Sequence, residues 1–352
     1  MKLKHKAISI YPSVICLLAA SYSSAQSTPS EFAEMSLQEL FNTNIYERNG
    51  LQNEFSAWTL TYQYKTAEFE GYLDGTKSLS FEDVKGPPSD GSGKTFPVVP
   101  TRITQTAHIY GVGYQFNERW QGHLSVPYIL QETDHLSLVP GYETFIIKTD
   151  GIGDAAISAS YNFNSPSWLL SIGLSFPTGS IDEVGDTPRE AGNQQVPYTM
   201  QLGSGTYDLP VELSYQSSAW PNFNLNVSAT IRTGTNDRDY RLGNHYSVKA
   251  RYKFDLSERW KSYAGLTFHY RDSINGQDDS LLLGEPPTIY PASITNPNLY
   301  GGKKISGRVG FLWKISDEYR LNAEFGQPIY QSLNGPQPKE QWRSALSISK
   351  SY

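Results

Sequence analysis

The chain has 352 residues, 29 basic and 35 acidic, a formal charge of −6 and one cysteine. No apolar run after the N-terminus is long enough for a membrane-crossing helix, which needs about 18 residues or more. There is no basic stripe, so nucleic acid is not expected as a partner.

The first residues read as a secretory leader. Lys2, Lys4 and Lys6 form a positive n-region, Ala7 to Ala20 are mostly apolar, and Ser23-Ser24-Ala25 offers small residues for cleavage after Ala25. The lone Cys16 lies inside this leader and follows Ile15, which does not suit lipidation. Residues 1–25 are therefore read as a signal peptide. The exported chain then has no cysteine, which excludes disulfides, thiolate metal sites and thiol catalysis. Losing three lysines leaves it at about −9.

Residues 26–50 come next. Ala33, Leu37, Leu40 and Phe41 follow helical spacing, with Ser36 and Glu39 as a capping pair. A short amphipathic helix is expected. Three readings stand for it: a plug entering a lumen, a docking segment for a periplasmic partner through residues 30–45, or a plain leader.

From residue 51 to 352 the pattern changes to period two. Trp58-Leu60-Tyr62-Tyr64, Tyr110-Val112-Tyr114-Phe116 and Leu124-Val126-Tyr128-Leu130 open the series. Segments centred on Ala159, Ile172, Val211, Val227, Ala250, Leu266 and Phe311 continue it, and Leu321–Ile329 and Trp342–Tyr352 close it. About twelve tilted strands of membrane-crossing length are expected. The connections alternate. Short ones fall at 117–119, 164–167, 217–221, 255–259 and 316–318; longer ones fall near 67–102, 133–152, 178–204, 233–243, 272–303 and 333–340. Short periplasmic turns and long external loops are the habit of outer-membrane barrels. The fold expected is all-β: an antiparallel up-and-down transmembrane β-barrel of about twelve strands, preceded by a short helix.

Trp58, Trp120, Trp168, Trp220, Trp260 and Trp313 all fall beside the short-turn end. An aromatic girdle at one membrane interface follows, because the indole ring is apolar and its N–H wants water. Tyr352 ends an amphipathic strand and resembles the terminal aromatic read by the outer-membrane assembly machinery.

Four ordered patterns carry a family resemblance: Val126-Pro127-Tyr128, Gly151-Ile152-Gly153-Asp154, Phe176-Pro177-Thr178-Gly179, and Leu202-Gly203-Ser204-Gly205-Thr206-Tyr207-Asp208. Together they resemble the transporter family labelled as meta-pathway phenol-degradation-like outer-membrane proteins, over roughly residues 50 to 352. The resemblance implies a barrel moving small, often aromatic or hydrophobic, compounds. The residues themselves support a plainer role. Gly179, Gly203 and Gly205 permit turns at strand–loop boundaries, and Asp154 accepts hydrogen bonds from loop amides.

The face opposite the apolar series should line the lumen. It carries Asp208, Glu212, Arg232, Lys249, Arg251, His269, Arg308 and Glu324, with Lys253, Arg271 and Lys314 in the same series. These charges form either a selective eyelet or a salt-bridged filling. Arg232, Arg251 and Glu212 are expected near mid-strand, where a constriction would lie. No catalytic, cofactor or metal site is expected. His108, His123, His135, His245 and His269 show neither a hydrolase context nor metal-ligand spacing. The function expected is passive outer-membrane transport of small molecules. The alternative is a barrel that scaffolds a periplasmic or surface partner, and a hydrolase comes a distant third.

Overall fold

The computed structural model describes residues 58–87, 95–164, 167–283 and 290–352. The leader at 1–25 and the helix expected within 26–50 lie outside them. The elements in chain order are β1 (Trp58–Gly75), β2 (Lys77–Leu79), the one-turn helix α1 (Phe81–Val84), β3 (Val98–Gln115), β4 (Trp120–Ser137), β5 (Thr144–Ile152) and β6 (Ala155–Asn164). Then come β7 (Ser167–Phe176), β8 (Val184–Asp186), β9 (Asn193–Gln195), β10 (Asp208–Gln216), β11 (Phe223–Arg232), β12 (Tyr240–Arg241) and β13 (His245–Asp255). The chain finishes with β14 (Trp260–Arg271), β15 (Asn275–Gly276), β16 (Gly302–Lys314) and β17 (Tyr319–Ser351).

One sheet closes on itself in the order β17-β16-β14-β13-β11-β10-β7-β6-β4-β3-β1, and β1 returns to β17. The ring thus holds 11 strand elements; β2 hangs on β1, and β5 pairs with β4, outside the closed path. All the ring pairings are antiparallel. An antiparallel ring cannot close on an odd number of one-way strands, so one element must run in both directions. That element is β17. Its 33 residues would stretch about 110 Å if straight. Its first half pairs with β16 from Arg320 to Leu333, and its second half pairs with β1 mainly from Gln337 to Ser351. The ring thus has 11 strand elements where about twelve were expected, and the difference lies at the C-terminal end. The last two expected segments, and the loop expected at 333–340, belong to this single element, which reverses around Asn334-Gly335-Pro336.

Two other expected loops are also strand. β4 runs on to Ser137 and β5 restarts at Thr144, where a loop over 133–152 was expected. β1 and β3 likewise extend to Gly75 and back to Val98. At 18 residues each, β1, β3 and β4 rise roughly 45 Å at a tilt near 40°, well beyond an apolar band of about 25 Å. Their outward side chains above the band are charged. Lys148 Nζ lies 2.7 Å from Glu132, Arg102 pairs with Glu68, and Tyr128 donates to Asp150 at 2.5 Å. The ladder continues where the apolar alternation stops, so periodicity alone misses it.

Around the band the outer face is apolar. Leu60, Leu124, Ile157, Ile172, Leu266 and Val309 are 43% to 57% exposed. A continuous apolar belt of this kind has no place in water and fits the hydrocarbon of a bilayer. Among the described residues no helix is long and apolar enough to cross a membrane.

The long-loop end is filled. Tyr198, Tyr240, Leu242, Ile274, Leu281, Ile294 and Tyr300 bury together with Val98 of β3. Tyr198 meets Tyr240 edge-on at 4.7 Å and Tyr300 at 5.6 Å between ring centres. A second cluster joins Tyr72 of β1 and Val84 of α1 to Phe96, Val99 and Tyr290. Loops from four connections therefore supply two apolar clusters at this end.

Candidate functional site: a charged lumen beneath an inserted loop

The residues alternating with the lipid-facing series turn into the ring and are polar. On β6, β7, β10 and β11 many are small and neutral, as is Ser247 of β13. Ser160 bonds Ser171 at 2.7 Å, Ser228 bonds Ser247 at 2.8 Å, and Asn226 donates to Ser214 at 2.8 Å. The opposite wall, formed by β13, β14, β16, β17 and β1, is charged.

Glu324 of β17 sits at its centre. Arg308 Nη1 donates to it at 2.6 Å and Tyr263 Oη at 2.9 Å. Lys249 and Arg251 of β13 also act on it electrostatically. Tyr263 reaches it by lying flat across Gly310, where a Cβ would fall 2.0 Å from the ring. From the other side Lys65 of β1 lies within electrostatic range of Lys249, Glu324, Arg308 and Arg343. Arg343 grips Glu340 with two parallel bonds of 2.7 and 2.6 Å, and Lys304 adds a third at 2.6 Å. Such fork-to-carboxylate geometry is the strong form of ionic hydrogen bond. Toward the mouth, His269 links Arg308 at 3.2 Å to His245 at 3.3 Å.

The eight residues expected to line the lumen, Asp208, Glu212, Arg232, Lys249, Arg251, His269, Arg308 and Glu324, are buried or half-buried and alternate with the outward apolar residues of their strands. They do not form one cluster. Lys249, Arg251, His269, Arg308 and Glu324 come together. Glu212 bonds Ser214 at 3.0 Å on another stretch of wall. The expectation that Arg232 stands mid-strand is corrected: it is the last residue of β11, where the chain leaves the sheet at Thr233, and it pairs with Asp208 at the first position of β10. Sequence reading overlooked Lys65, Lys304, Glu340 and Arg343. Their alternation with Tyr64, Ile305 and Trp342 was the available signal.

Asp154 stands between β5 and β6 and fastens a loop into the ring. Its carboxylate accepts from the Gly179 N–H at 3.0 Å, and from the Ser204 N–H and hydroxyl at 2.8 and 2.9 Å. The loop packs tightly there. A Cβ on Gly203 would lie 2.3 Å from the Gly179 carbonyl oxygen. Gly205 takes a φ of +68°, which favours glycine. Residues 196–202 hang inside the wall. Gln131 donates to the Gln201 carbonyl at 2.9 Å, and Thr149 to the Met200 carbonyl at 2.8 Å. Met200 packs on Val196 and Ile147, and Leu202 on Ala67, Phe69, Ile103 and Ile129.

The expected tryptophans sit at the short-turn end. Trp260 and Trp313 stack at 4.6 Å and 6° between planes, while Trp58, Trp120 and Trp168 pair with Tyr114, Tyr161 and Tyr215. Trp220 is 70% exposed beside its turn. His108 faces outward and its Nδ1 bonds Tyr62 Oη at 2.8 Å. Tyr352 is exposed, with its N–H donating to the Trp58 carbonyl at 2.9 Å.

A closed antiparallel ring with an apolar outer belt and a polar, charged inner face defines an outer-membrane β-barrel. No family model matches the sequence, and no curated protein is significantly similar to it. Among solved structures, the fold is similar to an outer membrane channel from Pseudomonas putida F1, with 14% identity, 88% of this chain and 100% of that chain covered, and a TM-score of 0.55. Looser likenesses include a TodX monoaromatic hydrocarbon channel mutant (10% identity, 93% and 96% covered, TM-score 0.45) and the translocator domain of the autotransporter NalP from Neisseria meningitidis (7%, 87% and 92%, 0.42).

Proposed function

We propose that this barrel is a channel for passive uptake of small molecules across the outer membrane, with aromatic or hydrophobic compounds as first candidates. The observation that carries the channel reading is the inner face. It keeps charges and small hydroxyls inside, the lining that a water-filled lumen carries. The aromatic preference rests on the four motifs resembling meta-pathway phenol-degradation-like transporters. Short turns then lie in the periplasm and the filled mouth faces outward. Trp58, Trp120, Trp168, Trp220, Trp260 and Trp313 form the inner girdle, and Tyr352 serves as the handle for barrel assembly.

The apolar filling of the mouth favours a second reading, a closed barrel that scaffolds a partner through residues 30–45 or its loops. Planar-bilayer conductance and liposome swelling separate the two. Conductance steps and swelling with phenol-sized solutes support the channel. A barrel closed to every solute, both as the full chain and without residues 26–50, would leave the scaffold reading standing.

A further inference from the structure

We infer that the outer face of β1 and β3 is an interface at which a second copy of this chain docks within the membrane. This surface lies outside the lumen and is independent of what the lumen passes. Its depth sets it apart. Tyr64 of β1 and His108 of β3 are cross-strand partners, and Tyr64 stands six residues along from Trp58 at the short-turn rim. At about 2.5 Å of height per tilted residue, both lie about 15 Å into an apolar band of about 25 Å. At similar depth elsewhere on the ring the outward residues are Ile157, Ile172 and Leu266, all exposed. His108 breaks that rule, whereas the other described histidines, His123, His135, His245 and His269, are buried. A polar side chain facing hydrocarbon is costly, because the tails cannot hydrogen-bond it, and such a residue marks a functional surface.

Local bonding offsets only part of that cost. His108 Nδ1 and Tyr62 Oη lie 2.8 Å apart. A neutral imidazole and a phenol hold two donor hydrogens between them, and their bond uses one. Whichever atom donates, a donor and an acceptor remain on the lipid side. Tyr64 meets the His108 ring edge-on at 5.4 Å and brings its own hydroxyl. A surface that offers a donor beside an acceptor matches its own image turned about a two-fold axis, the commonest arrangement of identical subunits. Within lipid, association is driven by close packing and hydrogen bonds rather than by the hydrophobic effect. This face supplies both. Tyr62 and Tyr110 pack at 5.5 Å between ring centres, and Trp58 and Tyr114 at 4.6 Å, so rigid rings flank the polar pair. Lipid tails offer the polar atoms nothing, and a second barrel in the same orientation answers them.

The test is cross-linking and energy transfer on the full chain. Cys16→Ala removes the one native thiol. Tyr110→Cys then places a thiol on this face, at a position 57% exposed, and Val227→Cys places one on β11 across the ring, at 45%. In isolated outer membranes a short bis-maleimide should link Tyr110→Cys chains at the mass of a dimer and leave Val227→Cys chains single. Val227→Cys chains carrying donor or acceptor dyes are then mixed in lipid vesicles. Energy transfer should rise with the protein-to-lipid ratio well above the level of randomly spread barrels. His108→Leu should raise the ratio at half-maximal transfer about fivefold, the loss expected for a hydrogen bond formed within lipid. Its urea midpoint for refolding should not fall, because leucine suits hydrocarbon. Should it fail to give the heat-modifiable migration of a folded barrel, Tyr62→Phe, which loses only a hydroxyl, takes its place. Equal linking from 110 and 227, an adduct with a different protein, transfer at the random level, or a lumen-independent pairing that the His108 or Tyr62 variant leaves as tight as wild type each overturns the inference.

Discussion

Ser204 donates both its backbone N–H and its hydroxyl to the carboxylate of Asp154, 50 residues earlier in the chain. The same carboxylate takes the Gly179 N–H. A single buried side chain thus pins both ends of the loop that inserts residues 196–202 under the mouth. Hydrogen bonds to an ionised group contribute about 1.5–3 kcal/mol each, so the anchor is stronger than the loop's other polar contacts. Asp154→Ala removes three acceptor contacts and leaves the wall itself intact. The loop should detach more often, and single-channel traces should show larger or more frequent openings than wild type from a barrel that still folds. Identical traces would mean the loop is held by its apolar contacts through Met200 and Leu202.

Gly203 tests the same anchor by crowding. A methyl there would meet the Gly179 oxygen at 2.3 Å and Asp154 Oδ1 at 2.6 Å. Both neighbours are fixed, so the loop must shift. Gly203→Ala should reproduce the conductance change of Asp154→Ala. Gly307→Ala, where the nearest atom is a side-chain methyl at 3.7 Å, should behave as wild type. If Gly203→Ala is silent, the packing at this crossing is looser than the structure shows.

The Arg308–Glu324 pair is a stability element as well as part of the lumen. Their side chains are 7% and 12% exposed and 2.6 Å apart. Breaking a buried ion pair from one side costs about 3–5 kcal/mol, because the remaining charge stays in place. Glu324→Gln leaves Arg308, Lys249 and Arg251 facing each other with one carboxylate fewer. Its urea midpoint for refolding into vesicles should fall clearly. Arg308→Gln/Glu324→Gln should fall by less than the sum of the single variants, as coupled sites do. Additive losses would show that the two residues act independently.

Much of this barrel was legible in the chain because lipid imposes a simple rule. Every second residue of a crossing strand must be apolar, and Leu60, Leu124 and Leu266 obey it. The inner residues could be named for the same reason, since whatever alternates with the lipid face must look inward. Three things were hidden. The extensions of β1, β3 and β4 carry Glu68, Arg102 and Glu132 outward, so backbone pairing continues without an apolar signature. The insertion of Met200 and Leu202 depends on contacts with Ile129 and Ile147, far away in sequence, and an apolar residue in a loop does not say what it will meet. The place of Arg232 depended on where β11 ends, and strand ends are set by the hydrogen-bonding partner as much as by composition. The charged wall of the lumen was half visible. Lys249, Arg251 and Arg308 stood out, but Lys65 and Arg343 join them only because the last strand closes on the first.

The rim offers a test of membrane placement. Trp260 on β14 and Trp313 on β16 are cross-strand neighbours, and their rings lie parallel at 4.6 Å. Aromatic pairs add about 0.5–1.5 kcal/mol beyond the area they bury, and indoles gain further from sitting at the lipid–water boundary. Trp260→Ala should therefore destabilise the barrel in vesicles by more than in detergent, because a micelle has no fixed interface for the girdle to match. Trp260→Phe should keep the stacking contribution and lose the part owed to the indole N–H. The readout is the urea midpoint of each variant in both media, followed by tryptophan fluorescence. A loss of equal size in vesicles and micelles would assign the pair to strand-to-strand packing alone. A larger loss in vesicles, partly recovered by phenylalanine, would put the short-turn end of the ring at the membrane interface.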